Sequence, residues 1–129
     1  MEGEHGAGVA EICVCLGAIK EKQHLYDEAR SHYDDALKIY NVLYEEESPH
    51  EDVAQILTSI AIVLKAQKKY DLAKSFYERA LNMRRLLHPD GPHPDIAQSM
   101  NNLAGSYSYS VVYGTLHMYC VCMFVYVFI

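Results

Sequence analysis

Several residue types that mark particular kinds of protein are scarce in this chain of 129 residues. It has no tryptophan, 7 glycines, 4 prolines and no run of Lys or Arg longer than two. Scarce glycine and proline argue against a disordered or fibrous chain. With a formal net charge of −6 and no concentrated basic surface, the chain is not expected to bind nucleic acid.

Signals for secretion, metal binding and catalysis are also absent from the sequence pattern. The first residues are acidic, where a secretory signal would be basic. The cysteines form two pairs, Cys13/Cys15 and Cys120/Cys122, without the usual zinc-ligand spacing, and are interpreted as reduced thiols that pack as small hydrophobes. No phosphate loop, nucleophile elbow or paired-carboxylate motif is present, so we predict neither a catalytic residue, a metal site nor a cofactor.

What the sequence does contain is an internal repeat. Residues 9–12 (Val-Ala-Glu-Ile) recur 44 positions later at 53–56 (Val-Ala-Gln-Ile), and again 43 positions further at 96–99 (Ile-Ala-Gln-Ser). A fixed period of this length is typical of a helical repeat protein. Each unit predicts two amphipathic helices, because its apolar residues recur at steps of three and four. The first-helix stripes are Ile12, Leu16 and Ile19 in unit one, and Ile56, Ile60 and Val63 in unit two.

Small and aromatic residues alternate along each unit in a second regular pattern. Gly17, Ala61 and Ala104 share one repeat position, and the second helices carry Ala and Tyr at matching steps. This spacing resembles the tetratricopeptide repeat, whose basic unit is about 34 residues. The longer unit and the segment from His93 to Ala97 are similar to the kinesin light chain type of array. The resemblance implies an all-α solenoid of antiparallel helix hairpins, with two full repeats, the first helix of a third and a divergent apolar tail.

The predicted organisation has three parts. An N-terminal lead spans residues 1–8, the repeat array spans 9–107, and an uncharged hydrophobic tail spans 108–129. Within the array, repeat one is 9–46, repeat two is 53–88 and partial repeat three is 95–107.

The resemblance also implies a site, because first helices line a concave groove in the family. Amides and hydroxyls on such a face supply donors and acceptors to a peptide backbone. The groove residues implied by the resemblance are Gln55, Thr58, Ser59, Lys65, Gln98, Asn101 and Asn102, with Glu11, Val14, Ala18 and Ile62 at further matching positions. Lys65 is the one cation among them, so an apolar or mixed peptide is favoured over an acidic one.

The tail leaves three interpretations open. Residues 111–129 carry no charge and are just long enough for a membrane span of about 20 residues. The tail is then a non-family segment produced by truncation, alternative splicing or a misjudged gene boundary, a C-terminal membrane anchor, or a cap over the open end of the array. If nothing caps that end, self-association through it is expected.

These observations favour a cytoplasmic adaptor or scaffold that binds a protein or peptide partner and is not an enzyme. The alternatives are a tail-anchored protein that displays the same module to the cytosol, or a truncated structural fragment without its own ligand.

Overall fold

The computed structural model describes residues 2–45 and 48–108. Four helices are bounded as α1 (Glu2–Lys22), α2 (Tyr26–Leu43), α3 (Glu51–Ala66) and α4 (Tyr70–Leu87). A fifth, α5, begins at residue 94 and continues to residue 108, the last one described. The described part of the chain contains no strand, and its helices form two hairpins followed by the first helix of a third. The predicted fold class is therefore confirmed.

The two hairpins turn in the same way at matching positions. His24 and Lys68, 44 residues apart, both adopt a left-handed backbone with φ of 60° and 62°. In each turn the next amide donates back across the helix end, from Leu25 N to Lys20 O and from Lys69 N to Leu64 O, both at 2.9 Å. Such bonds satisfy carbonyls that the helix end leaves without partners. Each helix therefore stops sharply enough for its partner to pack antiparallel beside it.

Helix α3 forms the centre of the core. It is covered by α2 on one side and α4 on the other, so it is apolar around most of its circumference. Its buried apolar residues are Val53, Ala54, Ile56, Leu57, Ile60, Ala61, Val63 and Leu64. The neighbouring second helices contribute Ala and Tyr at alternating positions, and these fill the space between hairpins.

Helix α1 carries the same apolar stripe as α3 but leaves it exposed. Ile12 is 60% exposed, whereas Ile56, its counterpart in α3, is 1% exposed. Leu16 and Ile19 are likewise exposed, and their counterparts Ile60 and Val63 are completely buried. The stripe is present as the sequence predicts; the difference is that α2 covers it in the second unit and no described helix covers it in the first.

The helix α1 also begins earlier than the repeat comparison suggests. It starts at Glu2 and so includes most of the segment 1–8 that the sequence pattern sets apart as a lead. Gly6 lies against Leu43 at the end of α2, where an added Cβ would stand 3.1 Å from Leu43 Cδ2. The absence of a side chain there lets the first turns of α1 pack closely beside α2.

The small residue at position 17 faces a tyrosine ring. A Cβ built on Gly17 would lie 2.6 Å from Tyr33 Cε1, closer than two carbon atoms approach without a shift. Tyr33 is itself buried, and its hydroxyl donates to Glu21 Oε2 at 2.9 Å, so the ring has little freedom to move aside. In the second unit Ala61 occupies the matching position.

We therefore expect Gly17→Ala to lower the free energy of unfolding by about 1–2 kcal/mol. Alanine is favoured over glycine in a helix interior by about 1 kcal/mol, but overpacking against the ring costs more. Gly8→Ala is the matched control in α1, because an added Cβ there meets nothing within 4 Å, and it should stabilise the protein. Urea unfolding followed by circular dichroism measures both. Equal stabilisation by the two variants would contradict the close contact.

Candidate functional site

The first helices α1 and α3 border a cleft of about 310 Å3 at the junction between the two hairpins. Its walls are partly apolar, from Val14 and Ile56, and its polar groups include two carboxylates. The lining residues are Glu11, Val14 and Cys15 of α1, Tyr40 of α2, and Asp52, Gln55 and Ile56 of α3. The cleft therefore combines an apolar and aromatic wall with negative charge.

Electrostatic interactions join the carboxylates to the aromatic wall. Burial raises the pKa of the Tyr40 phenol, and the negative charges of Asp52 and Glu11 raise it further. The Tyr44 hydroxyl donates to Asp52 Oδ2 at 3.4 Å, and the Tyr44 ring stacks on that of Tyr40. Within the described residues, neither Glu11 nor Asp52 forms an ion pair with a lysine or arginine. The site is thus negative and holds its phenols in the neutral form.

The second junction, between α3 and α5, is filled by Arg84. This residue is 44 positions after Tyr40 and is only 3% exposed. Its Nε and Nη2 donate to Glu51 Oε1 at 3.0 and 2.9 Å, and Nη2 also donates to Gln55 Oε1 at 3.1 Å. Its Nη1 donates to Ser99 Oγ at 2.7 Å, which ties α4 to both α3 and α5. At the first junction the buried Tyr40 takes the repeat position of Arg84, and its ring lines the cleft.

Comparison with known proteins identifies the family. The family model described as tetratricopeptide repeat matches residues 8–85 and 52–110, which together span most of the chain. The chain belongs to the tetratricopeptide repeat family. Comparison with curated proteins gave no match.

A solved structure agrees with this tetratricopeptide assignment. The chain is similar to BtubC (BKLC) from P. vanneervenii, a kinesin light chain-like tetratricopeptide protein, with 26% sequence identity and a TM-score of 0.71. The likeness covers 79% of this chain and 40% of that one, so this chain spans less than half the length of its structural relative. The predicted resemblance to the kinesin light chain type is confirmed. Tetratricopeptide repeats generally mediate protein–protein interaction and are typically non-enzymatic scaffolds.

The groove residues implied by the tetratricopeptide resemblance lie in different environments. Gln55, Gln98 and Asn101 are exposed, and Asn102, Ser59 and Lys65 are half-buried. The Lys65 side chain reaches α5, since its Nζ lies 3.7 Å from where a Cβ on Gly105 would be.

Thr58 differs from the rest of this set. It is buried, and its hydroxyl donates to Ala54 O of its own helix at 2.9 Å. In this conformation its side chain does not reach a ligand surface, because the α3 face it occupies is packed. Gln55 is also partly engaged, since it accepts from Arg84.

A polar cluster that the sequence pattern does not single out lies beside Ser59. The Tyr33 hydroxyl donates to Glu21 Oε2, and its pKa is raised first by burial and then by Glu21. A hydrogen bond with Ser59 lowers that pKa in part. Tyr33 lies between α1 and α3 in this way because its ring fills the space that Gly17 leaves open. Its neutral hydroxyl links the last turn of α1 to the first helix of hairpin two.

Two histidines cap the first helices of the second and third units. His50 Nδ1 accepts from Asp52 N, and His93 Nδ1 accepts from Asp95 N, both at 3.3 Å. His93 also stacks on His88, with ring centroids 3.7 Å apart. Side-chain acceptors at this position satisfy an amide at the start of a helix.

These groups also bring together potential metal ligands. The ligand atoms of His88, His93 and Asp95 lie within 4.8 Å of one another. Tyr44, which is not a metal ligand of this kind, takes the place of His88 in the first unit and stacks on His50 in the same way, at 3.6 Å. The ring stacking and the cap therefore recur at the first unit with a tyrosine in place of His88. Because the arrangement does not depend on that second histidine, we interpret it as a helix-capping device.

Two further predictions have structural outcomes. Cys13 is half-buried against the core, but Cys15 is exposed at the cleft, so the interpretation of both as buried hydrophobes is wrong for Cys15. Residues two apart on a helix point in nearly opposite directions, about 200° apart, and only one can face the core.

No helix within residues 2–45 and 48–108 has the length and apolarity to cross a membrane. The predicted anchor at 111–129, the predicted cap and Cys120/Cys122 lie outside the described residues.

Proposed function

We propose that this chain is a cytoplasmic adaptor that binds an extended peptide or a helix of a partner protein along the first helices α1, α3 and α5. The observation that supports it best is the open cleft between α1 and α3, since the space between helices in a packed array is otherwise filled. The exposed amides of Gln55, Gln98 and Asn101 extend the same series of repeat positions onto α5.

The proposed mechanism is recognition without bond making or breaking. An amide side chain offers two donors and an acceptor, which matches the alternating groups of a peptide backbone. Each such hydrogen bond contributes about 1 kcal/mol net, so several are needed for useful affinity. Burial of a partner side chain against the apolar wall formed by Val14 and Ile56 would supply the rest of the binding free energy.

Replacement of Asn101 and Asn102 by alanine tests this proposal. The full chain is immobilised and used to select binders from a library of randomised peptides, and the affinity of each binder is then measured on the variants. Loss of two amide contacts is expected to weaken binding roughly tenfold or more. Asn82→Ala is the matched control, because Asn82 is an exposed amide on the second helix α4 and should leave affinity unchanged.

Two outcomes would count against an adaptor role for this groove. One is that no peptide is selected above background. The other is that binding by the selected peptides is the same for the Asn101→Ala/Asn102→Ala and Asn82→Ala variants. Self-association through the C-terminal end, and the anchored alternative, stay predictions that concern residues 108–129.

A further inference from the structure

The second junction of this chain shows what fits between consecutive hairpins. There the Arg84 guanidinium is held by three acceptors from two different first helices, at 2.7 to 3.1 Å. Those acceptors are the oxygens of Glu51, Gln55 and Ser99. The space between first helices is therefore of a size and polarity that accommodates an arginine head.

The first junction keeps one of these acceptor positions and has no guanidinium of its own. Glu11 is the counterpart of Gln55, whereas Ala7 and Ile56 stand where the second junction has Glu51 and Ser99. The repeat spacing of 44 residues aligns Tyr40 with Arg84 and Glu11 with Gln55. Glu11 thus places a carboxylate where the second junction has an amide, and Asp52 adds another carboxylate to the same cleft. An ionised acceptor binds a cationic donor more strongly than a neutral one does.

The remaining walls of the cleft suit the rest of a basic side chain. Val14 and Ile56 present aliphatic surface to a methylene stem, and the Tyr40 ring is aromatic surface on which a guanidinium stacks. The volume of about 310 Å3 lies at the lower end of the roughly 300–1,000 Å3 found for ligand pockets. That is enough for one long side chain and too little for a folded element.

From these features we infer that the cleft between α1 and α3 is a subsite for an arginine side chain of the bound peptide, so that the preferred partner segment is basic. The inference rests on the proposed peptide-binding function and narrows its ligand. It also disfavours an acidic segment at this point, because two carboxylates repel a third when no described lysine or arginine pairs with them.

The test uses the full chain and the same randomised peptide library. Selection on the natural sequence is compared with selection on the Glu11→Gln/Asp52→Asn variant, which keeps the shape of both side chains and removes their charge. An arginine-containing binder is then compared with its citrulline counterpart, which is nearly isosteric and neutral. We expect citrulline to weaken binding at least tenfold on the natural sequence and less than threefold on the variant.

A charge-matched control separates the cleft from the overall acidity of the protein. Asp35→Asn/Asp90→Asn removes the same number of charges from exposed positions that do not line the cleft, and should retain the preference for arginine. Circular dichroism of each variant checks that the helices are intact.

The outcomes distinguish a failure of the arginine subsite from a failure of the proposed adaptor function. If binders depend on Asn101 and Asn102 but show no preference for arginine over citrulline, the arginine subsite is refuted and the adaptor function stands. A preference lost equally in the Asp35/Asp90 control also refutes the subsite. If no binder depends on the groove, both proposals fail.

Discussion

Ile56→Ala is expected to lower the free energy of unfolding by about 2–5 kcal/mol, the cost of emptying a buried isoleucine site in a packed core. Ile12→Ala should change it by less than about 1 kcal/mol, although both residues occupy the same repeat position. Ile56 is 1% exposed, whereas Ile12 is 60% exposed. The two substitutions share the residue type, the replacement and the repeat position. A difference between their effects therefore reports the difference in burial.

Urea unfolding monitored by circular dichroism gives both free energies, with the slope of the transition as a check that the unfolded surface is unchanged. If Ile12→Ala proved as costly as Ile56→Ala, the stripe on α1 would have to be covered in solution. Measurement over a range of protein concentrations would then show whether a second copy covers it, since association makes stability depend on concentration.

Arg84→Ala is expected to lower the free energy of unfolding by about 2–4 kcal/mol. Removal of one partner from a buried ion pair leaves the other without its acceptor or donor, at a typical cost of about 3–5 kcal/mol. The Glu51 side chain is 44% exposed, so water recovers part of that loss. Arg84→Lys should also destabilise the protein, because a single ammonium group cannot reach the acceptors on α3 and α5 together.

The neighbouring residue supplies the control for this experiment. Arg85 is exposed, and Arg85→Ala should alter stability by no more than about 0.5 kcal/mol. Equal effects of the two substitutions would mean that the guanidinium of Arg84 does not link the hairpins in solution.

Much of the fold could be predicted from spacing alone. The internal repeat indicates hairpins, and the steps of three and four indicate which helix faces are apolar. Gly17 and Ala61 also mark where helices approach closely. What spacing does not show is how many neighbours a helix has. Ile12 and Ile56 are equivalent in sequence, yet only one of them is buried, because burial depends on the element beside each helix.

The candidate site is less predictable for a related reason. Gln98 and Asn101 are exposed, whereas Thr58, at the repeat position that matches Asn101, is buried, and repeat position alone does not reveal this difference. Arg84 is a different case, since a signal exists in the sequence. Comparison of the units aligns it with a tyrosine of a packed second helix, and a charge at a core position calls for partners. Those partners come from two helices, α3 and α5, and their convergence requires the structure.

The exposed apolar stripe on α1 has a consequence for which helix unfolds first. In repeat arrays each unit gains stability mainly from its immediate neighbours, so the stability of a segment depends on how many it has. Helix α3 has a neighbour on each side, whereas α1 is packed within the described residues only against its own hairpin and the junction beside it. Amide hydrogens of α1 should therefore exchange with solvent through local fraying, while those of α3 exchange only when the array unfolds as a whole. Of the two helices that border the cleft, α1 is consequently the one that unfolds locally, whereas α3 stays folded. A ligand bound between them would therefore slow hydrogen exchange most in α1.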